Sequence, residues 1–362
     1  MRSMIILLAT AGLAASLSAQ AAQQGKTKKA KKEPPAQVDL VPHEAARIFT
    51  AEDPLQFTLT ANFGRLRKDK KQDAPWRDAT ISIADSTGAN VVVPLKVKTR
   101  GIWRLNYCDF PPLRLDFVKS TVKHTLFTKL DKPKLVTHCR DNDDFEQYLL
   151  QEMQLYRVYN LLTPYSHRIR LAHVTYADSG SGKTVATRYA FLEEEPQAVA
   201  HRVGGLLIKQ QGAGASDLDP KGAATFAVFQ YMIGNTDWSV AGLHNVELIT
   251  SDSVHVPIAF DFDFSGAVNA RYATVDPSLS IRRVRDRLYR GYCLPDAVFA
   301  PVFDLFKAQK DSIYALYRDP IGRLLKGDRA KETIEYFDEF YEVIQDKGQA
   351  KRAMLDRCIN RP

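Results

Sequence analysis

A series of short segments with alternating polarity, interrupted by one long helical pattern, constrains the fold of this chain most strongly. A stripe of apolar residues from Phe145 to Leu161 predicts a helix that Asp143 or Asp144 caps. Two further segments, 169–176 and 184–193, predict a hairpin after that helix. Earlier strands, separated by turns rich in Gly, Pro, Asp and Lys, are predicted at 57–63, 80–84, 91–100, 113–118 and 134–137. The pattern indicates an α+β protein.

The 362 residues are enough for two compact parts, and 45% of them are hydrophobic, which suits a full core. We expect a strand-rich part over 55–195 and a mainly helical part over 196–362. In the second part, Asp296 is expected to cap one helix, and another is predicted over 331–344.

The first residues are typical of an export signal. A basic residue, an apolar run and the cleavage pattern Ala19-Gln20-Ala21 predict a signal peptide over 1–21. Residues 22–54, rich in Lys, Gln, Ala and Pro, are expected to be a disordered basic linker. We therefore expect export to the periplasm or cell envelope, and no transmembrane segment after signal cleavage.

The net charge of +8 belongs in part to the linker lysines. The remaining basic residues are mixed with acids and form no nucleic-acid motif, so no nucleic-acid partner is expected. An arginine-rich segment over 280–291 is either a surface for an acidic substrate or an ordinary exposed helix face.

Four cysteines without a C-x-x-C unit suggest disulfides in an exported protein. Cys108 and Cys139 flank one strand-rich segment, and Cys293 and Cys358 lie in the helical part. These two pairings are favoured, and buried free thiols are the alternative.

Residues that bind metals and hydroxyl groups are concentrated in the segment Asn235–Gly266. Asp237 lies on a turn after a helix, Asn245 lies at the start of a strand, and Asp261 and Asp263 lie where a second strand ends. Since residues two apart on a strand face the same side, Asp261 and Asp263 can share a cation. Carboxylate oxygens are ligands that Mg²⁺ prefers.

Each of these residues also has a structural interpretation. Asp237 is compatible with ordinary turn chemistry, and His244 and Asn245 with satisfied positions at a strand edge. The run Asp-Phe-Asp-Phe is harder to explain structurally, because strands disfavour Asp. Taken together, the four candidate residues favour a functional site.

The order Asn-x-Asp, then Asn, then Asp-x-Asp, preceded by RGIWR and FPPLRLDF, resembles the CotH kinase-like family of atypical protein kinases over 97–266. The resemblance implies a two-lobed, protein-kinase-like fold with a strand-rich N-lobe and a helical C-lobe. It implies that Asp237 is catalytic, that Asn245 and Asp261 hold Mg²⁺, with Asp263 a further candidate, and that ATP is the co-substrate.

On that scheme the long helix directs Glu152 toward a basic residue on a strand. Arg114 is the candidate partner and phosphate contact, with Arg100 and Lys98 as rivals; an exposed helix acid and a strand-face base are the structural alternatives. The SGSGKT sequence at 179–184 is predicted to be a hairpin turn, because a phosphate-binding loop needs a further glycine and a following helix.

We therefore expect an exported kinase that transfers a phosphoryl group to a hydroxyl on a protein or envelope component. One alternative is a non-catalytic envelope module for binding or assembly. Another is a metal-dependent hydrolase that uses Asp237, Asp261 and Asp263.

Overall fold

The computed structural model describes residues 41–251 and 254–360. The predicted signal peptide and most of the predicted linker lie outside these residues. The last part of the linker was wrongly expected to be disordered. Arg47–Phe49 forms a 3-10 turn there, and Ile48 and Phe49 are buried because they pack against the strands described next.

Seven strands form a closed barrel in the order β1-β2-β3-β4-β5-β7-β6. Their bounds are Leu55–Ala61 (β1), Arg77–Ala84 (β2), Asn90–Thr99 (β3), Leu113–Phe117 (β4), Lys134–Val136 (β5), Ile169–Asp178 (β6) and Thr184–Glu193 (β7). These bounds confirm the predicted strands to within a few residues. The segment 179–184 joins the antiparallel strands β6 and β7, which confirms the predicted hairpin turn.

The barrel closes because β1 has two neighbours. It pairs antiparallel with β2 and parallel with β6 along its whole length. Alternate residues point inward and form the barrel core, among them Leu59, Ile81, Val97, Leu115 and Leu192. β5 pairs with only the last three residues of β7, and the Glu146 side chain of the following helix accepts from the next β7 amide that faces this side, at Tyr189.

A second core lies outside the barrel around the helix α3 (Asp143–Leu162). Val136 and Phe191 of the barrel wall belong to this second core. The side chain of Asn142, not of Asp143 or Asp144, caps α3 by accepting from the Asp144 amide. Nearly every residue of α3 is buried, because the barrel and other helices cover it on several sides.

A small sheet lies in the second half of the chain. It contains β8 (Leu206–Ile208), β9 (Val246–Ser251) and β10 (Val254–Ala259), in the order β10-β9-β8. The helix α5 (Pro220–Met232) packs on this sheet, and the Asp219 side chain caps it by accepting from the Gly222 amide. The other helices are α1 (Phe63–Leu66), α2 (Trp103–Tyr107), α4 (Pro196–Arg202), α6 (Phe299–Leu316), α7 (Arg329–Gln345) and α8 (Lys347–Ala353).

The expected two-lobed, protein-kinase-like fold is wrong. The chain instead contains a closed seven-stranded barrel of mixed strand direction, together with helices and the small sheet. The difference arises from the parallel pairing of β1 with β6, which joins segments far apart in the sequence and turns an open sheet into a barrel.

Two disulfides confirm the favoured pairings. Cys108 is bonded to Cys139, and Cys293 is bonded to Cys358. Disulfides persist in oxidising compartments, so they fit an exported protein. Among the helices in the described residues, none has the length and apolar character needed to cross a bilayer.

Candidate functional site

The loop after α5 holds Asp237 by several hydrogen bonds. The Asp237 amide donates to the Asn235 side chain at 3.0 Å, which fixes the turn. The Asn245 side-chain nitrogen donates to the Asp237 backbone carbonyl at 2.8 Å and to its carboxylate at 3.0 Å. His244 Nε2 lies 2.8 Å from the other carboxylate oxygen. The Asp237 carboxylate is thus oriented while its side chain remains 41% exposed.

Asn245 connects this loop with the strand end that carries Asp261. The Asn245 carbonyl accepts a hydrogen bond from the Phe260 amide at 3.3 Å, directly before Asp261. The structure therefore brings Asp237, Asn245 and the Asp261 strand end to one end of the β9–β10 ribbon. Because the Asn245 amide nitrogen contacts Asp237, its amide oxygen is the atom suited to a cation.

Positive backbone φ angles mark the same region. Leu243, Asn245 and Asp261 have φ values of 49°, 51° and 61°. Residues other than Gly adopt this conformation rarely, and Leu does so at a greater cost than Asn or Asp. Such strain is concentrated at functional sites, where the surrounding structure maintains it.

Three carboxylates form a compact group beside this ribbon. Ligand atoms of Glu152, Asp261 and Asp263 all lie within 4.8 Å of one another. Glu152 comes from the middle of α3, whereas the aspartates follow β10. Asp261 and Asp263 thus share one site, as their spacing predicts.

Arg104 of α2 enters this acidic group. Its guanidinium lies 2.6 Å from Asp263, 3.3 Å from Glu152 and 3.6 Å from Asp261. The Tyr272 hydroxyl also bonds Asp263. Arg104 therefore neutralises part of the negative charge that a metal ion would otherwise balance.

Burial and charge change the acidity of the group. Burial raises the pKa of Glu152 to about 8, against the opposing effect of Arg104. Burial likewise raises the pKa of Asp263, again opposed by Arg104. Although burial alone would lower the pKa of Arg104, its three carboxylate neighbours raise it well above the ordinary value. Burial thus favours the protonated form of Glu152, whereas the three carboxylates favour the charged form of Arg104.

The two basic candidates for nucleotide contact, Arg114 and Arg100, lie on the barrel wall outside the acidic group. Arg114 points out of the barrel from β4, opposite Lys134 of β5, and does not pair with Glu152 as we expected. Arg100 follows β3. Burial would raise the pKa of the buried Glu193, but the charges of Lys134, His167 and, to a smaller extent, Arg100 lower it. The Nε atoms of Arg100 and Arg114 are buried without a hydrogen-bond partner. Both residues remain candidates for contact with an anion.

Arg100, Arg114 and Lys134 form a basic row on the barrel wall. Lys134 connects this basic row with the β9–β10 ribbon. Its Nζ lies 2.5 Å from Glu193 and 4.5 Å from the centre of the Phe260 ring. Phe260 directly precedes Asp261. A basic surface on the barrel wall therefore lies close to the strand end that carries the carboxylates.

Sequence reasoning missed Arg104 and Lys134. Arg104 lies within the RGIWR stretch that carries the resemblance, but Arg104 itself was assigned no role. Lys134 is the first residue of a predicted strand and follows Lys132 and Pro133, so its sequence position gave no signal of burial.

The arginine-rich segment 280–291 was interpreted either as a surface for an acidic substrate or as an exposed helix face. The second interpretation is wrong. Residues 280–291 contain no helix. Arg290 instead donates to the carbonyls of Thr236 and Trp238, which flank Asp237. One arginine of this segment therefore supports the loop of the candidate site.

The site combines an oriented carboxylate, a group of hard oxygen ligands and nearby cationic side chains. This combination suits proton transfer from a hydroxyl and binding of a magnesium–phosphate complex. No protein-family model matches the chain, and no curated protein matches it significantly.

Proposed function

We propose that this protein is an exported, magnesium-dependent phosphotransferase, similar in its site residues to the CotH family. It would move the γ-phosphoryl group of ATP to a hydroxyl on a protein or envelope component. The observation that carries the proposal is the pair of hydrogen bonds from Asn245 to Asp237, beside the strand end of Asp261. This arrangement supports one site for acceptor and metal.

The proposed step assigns each group a role. The acceptor oxygen attacks the γ-phosphorus, its proton passes to the Asp237 carboxylate, and the bond from the γ-phosphorus to the ADP oxygen breaks. Asn245 and Asp261 would hold Mg²⁺, which neutralises phosphate charge, with Asp263 available as a further ligand. Arg100, Arg114 and Lys134 offer positive charge for the nucleotide phosphates.

The experiment combines binding and transfer. Thermal unfolding of the full chain is measured with Mg²⁺ and ATP, and phosphate incorporation into a library of hydroxyl-containing peptides is measured by mass spectrometry. We expect protection and transfer by the wild type, protection without transfer by Asp237→Asn, and loss of both in Asp261→Ala.

Asp286→Asn is the matched control, since this carboxylate pairs with Arg283 outside the site. It should behave as the wild type does. Transfer that persists in Asp237→Asn would contradict the catalytic role of Asp237.

A second candidate is a non-catalytic envelope module for binding or assembly. The position of Arg104 favours it, because a guanidinium 2.6 Å from Asp263 competes with a metal for that carboxylate. This candidate predicts that Mg²⁺ and ATP protect neither the wild type nor Asp261→Ala from thermal unfolding.

A further inference from the structure

One mouth of the barrel contains a cavity far along the strands from the candidate site. Its walls include Phe110, His138 and Val185, and its volume is about 470 Å³, which falls within the usual range of small-molecule pockets. Val185 lies near the start of β7, whereas Glu193, beside the basic row, is the last residue of that strand. The barrel-mouth cavity is therefore a separate place on the molecule.

His138 is the residue that makes this cavity unusual. It is 1% exposed, lines the cavity, and neither ring nitrogen has a hydrogen-bond partner among the described residues. Its ring packs 4.6 Å from the centre of Phe110 and 5.9 Å from that of Tyr176, whose buried hydroxyl also lacks a partner. Buried polar groups are normally satisfied, because leaving one unsatisfied costs about 1–3 kcal/mol. A bound molecule with hydrogen-bonding groups would remove this cost.

The imidazole of His138 is neutral at ordinary pH. Burial lowers its pKa to about 4, and the charges of Arg188 and Arg67 act in the same direction. A neutral imidazole donates from one nitrogen and accepts at the other. A hydroxyl group matches it, because a hydroxyl can both donate and accept.

The cavity lining contains two arginines and two aspartates, and the state of Arg67 points to an anionic ligand. Asp141 is engaged by Arg188 at 2.7 Å, and Arg140 donates to the Tyr107 carbonyl and lies 3.9 Å from Asp109. Arg67 lines the cavity and has no acidic partner within residues 41–251 and 254–360. Its guanidinium is therefore available for a carboxylate.

We propose that the barrel-mouth cavity binds a small organic acid that also carries a hydroxyl group. The carboxylate pairs with Arg67 at the rim, and the hydroxyl bonds His138 inside. The Phe110 ring provides an apolar wall between them.

The test uses the full chain and four probes: lactate and glucuronate, which carry both groups, acetate, which lacks the hydroxyl, and glucose, which lacks the acid. Imidazole nitrogen and proton signals of His138 are followed by NMR during titration, with His138→Phe used for assignment. Lactate or glucuronate should shift these signals and raise the unfolding temperature. Acetate and glucose should bind at least about tenfold more weakly.

Arg67→Gln should weaken binding of the hydroxy acids by about tenfold without changing the stability of the free protein. Arg65→Gln is the matched control, since Arg65 is an exposed neighbour that does not line the cavity. The comparison of Arg67→Gln with Arg65→Gln tests the proposal even if His138→Phe does not fold.

Three results would overturn the proposal. The first is that no probe shifts the His138 signals, so that the cavity contains water only. The second is equal binding of acetate and lactate, which removes the role of His138. The third is an equal effect of Arg67→Gln and Arg65→Gln.

Discussion

Arg104 lies 2.6 Å from Asp263, so a guanidinium occupies part of the acidic group in which a divalent cation would bind. Both side chains are largely buried. Arg104 belongs to α2, and Asp263 belongs to the segment after β10. The protein's own positive charge therefore holds two distant parts of the chain together at the candidate site.

Replacing Arg104 with Met should destabilise the protein and increase its dependence on Mg²⁺. The three carboxylates would lose their cation, and breaking a buried ion pair costs about 3–5 kcal/mol. Urea unfolding with a chelator and with Mg²⁺ measures both effects, and Mg²⁺ should restore part of the lost stability. Arg283→Met, at an exposed ion pair, is the control. Equal stability of the two variants would contradict this account of the site.

Replacing Arg290 with Met should loosen the loop that carries Asp237. The Arg290 guanidinium donates to the carbonyls of Thr236 and Trp238, so its loss frees the backbone on both sides of the carboxylate. Hydrogen exchange at the amides of 236–239 should become faster, while exchange in the barrel strands stays unchanged. Arg290→Lys should restore part of the protection. Unchanged exchange in the Met variant would show that the loop is held by its other bonds.

The stability contributed by His167 should depend on pH. Its ring is buried, with Nδ1 at 2.8 Å from the Glu194 carbonyl and Nε2 in an ion pair at 3.0 Å from Glu247. Burial alone would lower the pKa of His167, but Glu247 and Glu193 raise it above the ordinary value of 6.5. The folded state then binds the proton more tightly than the unfolded state. The stabilising contribution is complete below the unfolded pKa and is lost as the pH rises through the folded pKa.

His167→Gln should therefore reduce the free energy of unfolding more at about pH 6 than at about pH 9. Urea unfolding of wild type and variant at both pH values gives the difference. His173→Gln, at a histidine packed on Tyr189, is the matched control and is measured in the same way. A larger effect of His167→Gln at the higher pH would mean that its neutral form is the stabilising one.

Removal of either disulfide should lower stability by a similar amount. The bonds join residues separated by 31 and 65 positions, and chain-entropy arguments assign about 4 kcal/mol to loops of these lengths. The Cys108→Ala/Cys139→Ala and Cys293→Ala/Cys358→Ala double variants, compared with the wild type by urea unfolding, measure this. A variant as stable as the wild type would show that native contacts already restrict the chain at that bond.

Local patterns predicted most elements of the fold. The alternation along β3 and β7, and the apolar stripe of α3, appear in the structure within a few residues of the predicted bounds. These patterns succeed because each strand or helix buries one recognisable set of side chains. Barrel closure was not predictable in this way, because the alternation of β1 is equally compatible with one neighbouring strand or two.

The candidate site was predictable where its residues lie near one another in sequence. Asp237 and Asn245 follow one turn, and Asp261 and Asp263 follow one strand, so their local grouping was visible. The contact of Arg104 with Asp263 depends on how α2 packs against the segment after β10. The residues around Arg104 do not specify that contact. For the same reason, Arg114 and not Arg104 was predicted as the partner of Glu152.

The position of β1 between β2 and β6 has a consequence for how this protein is made. When the ribosome has produced the first few strands, β1 can find β2, but its other neighbour has not yet been synthesised. The side of β1 that pairs with β6 stays unpaired until the chain has been synthesised as far as Asp178. If the chain is exported as it is made, that unpaired strand edge is exposed to aggregation during passage.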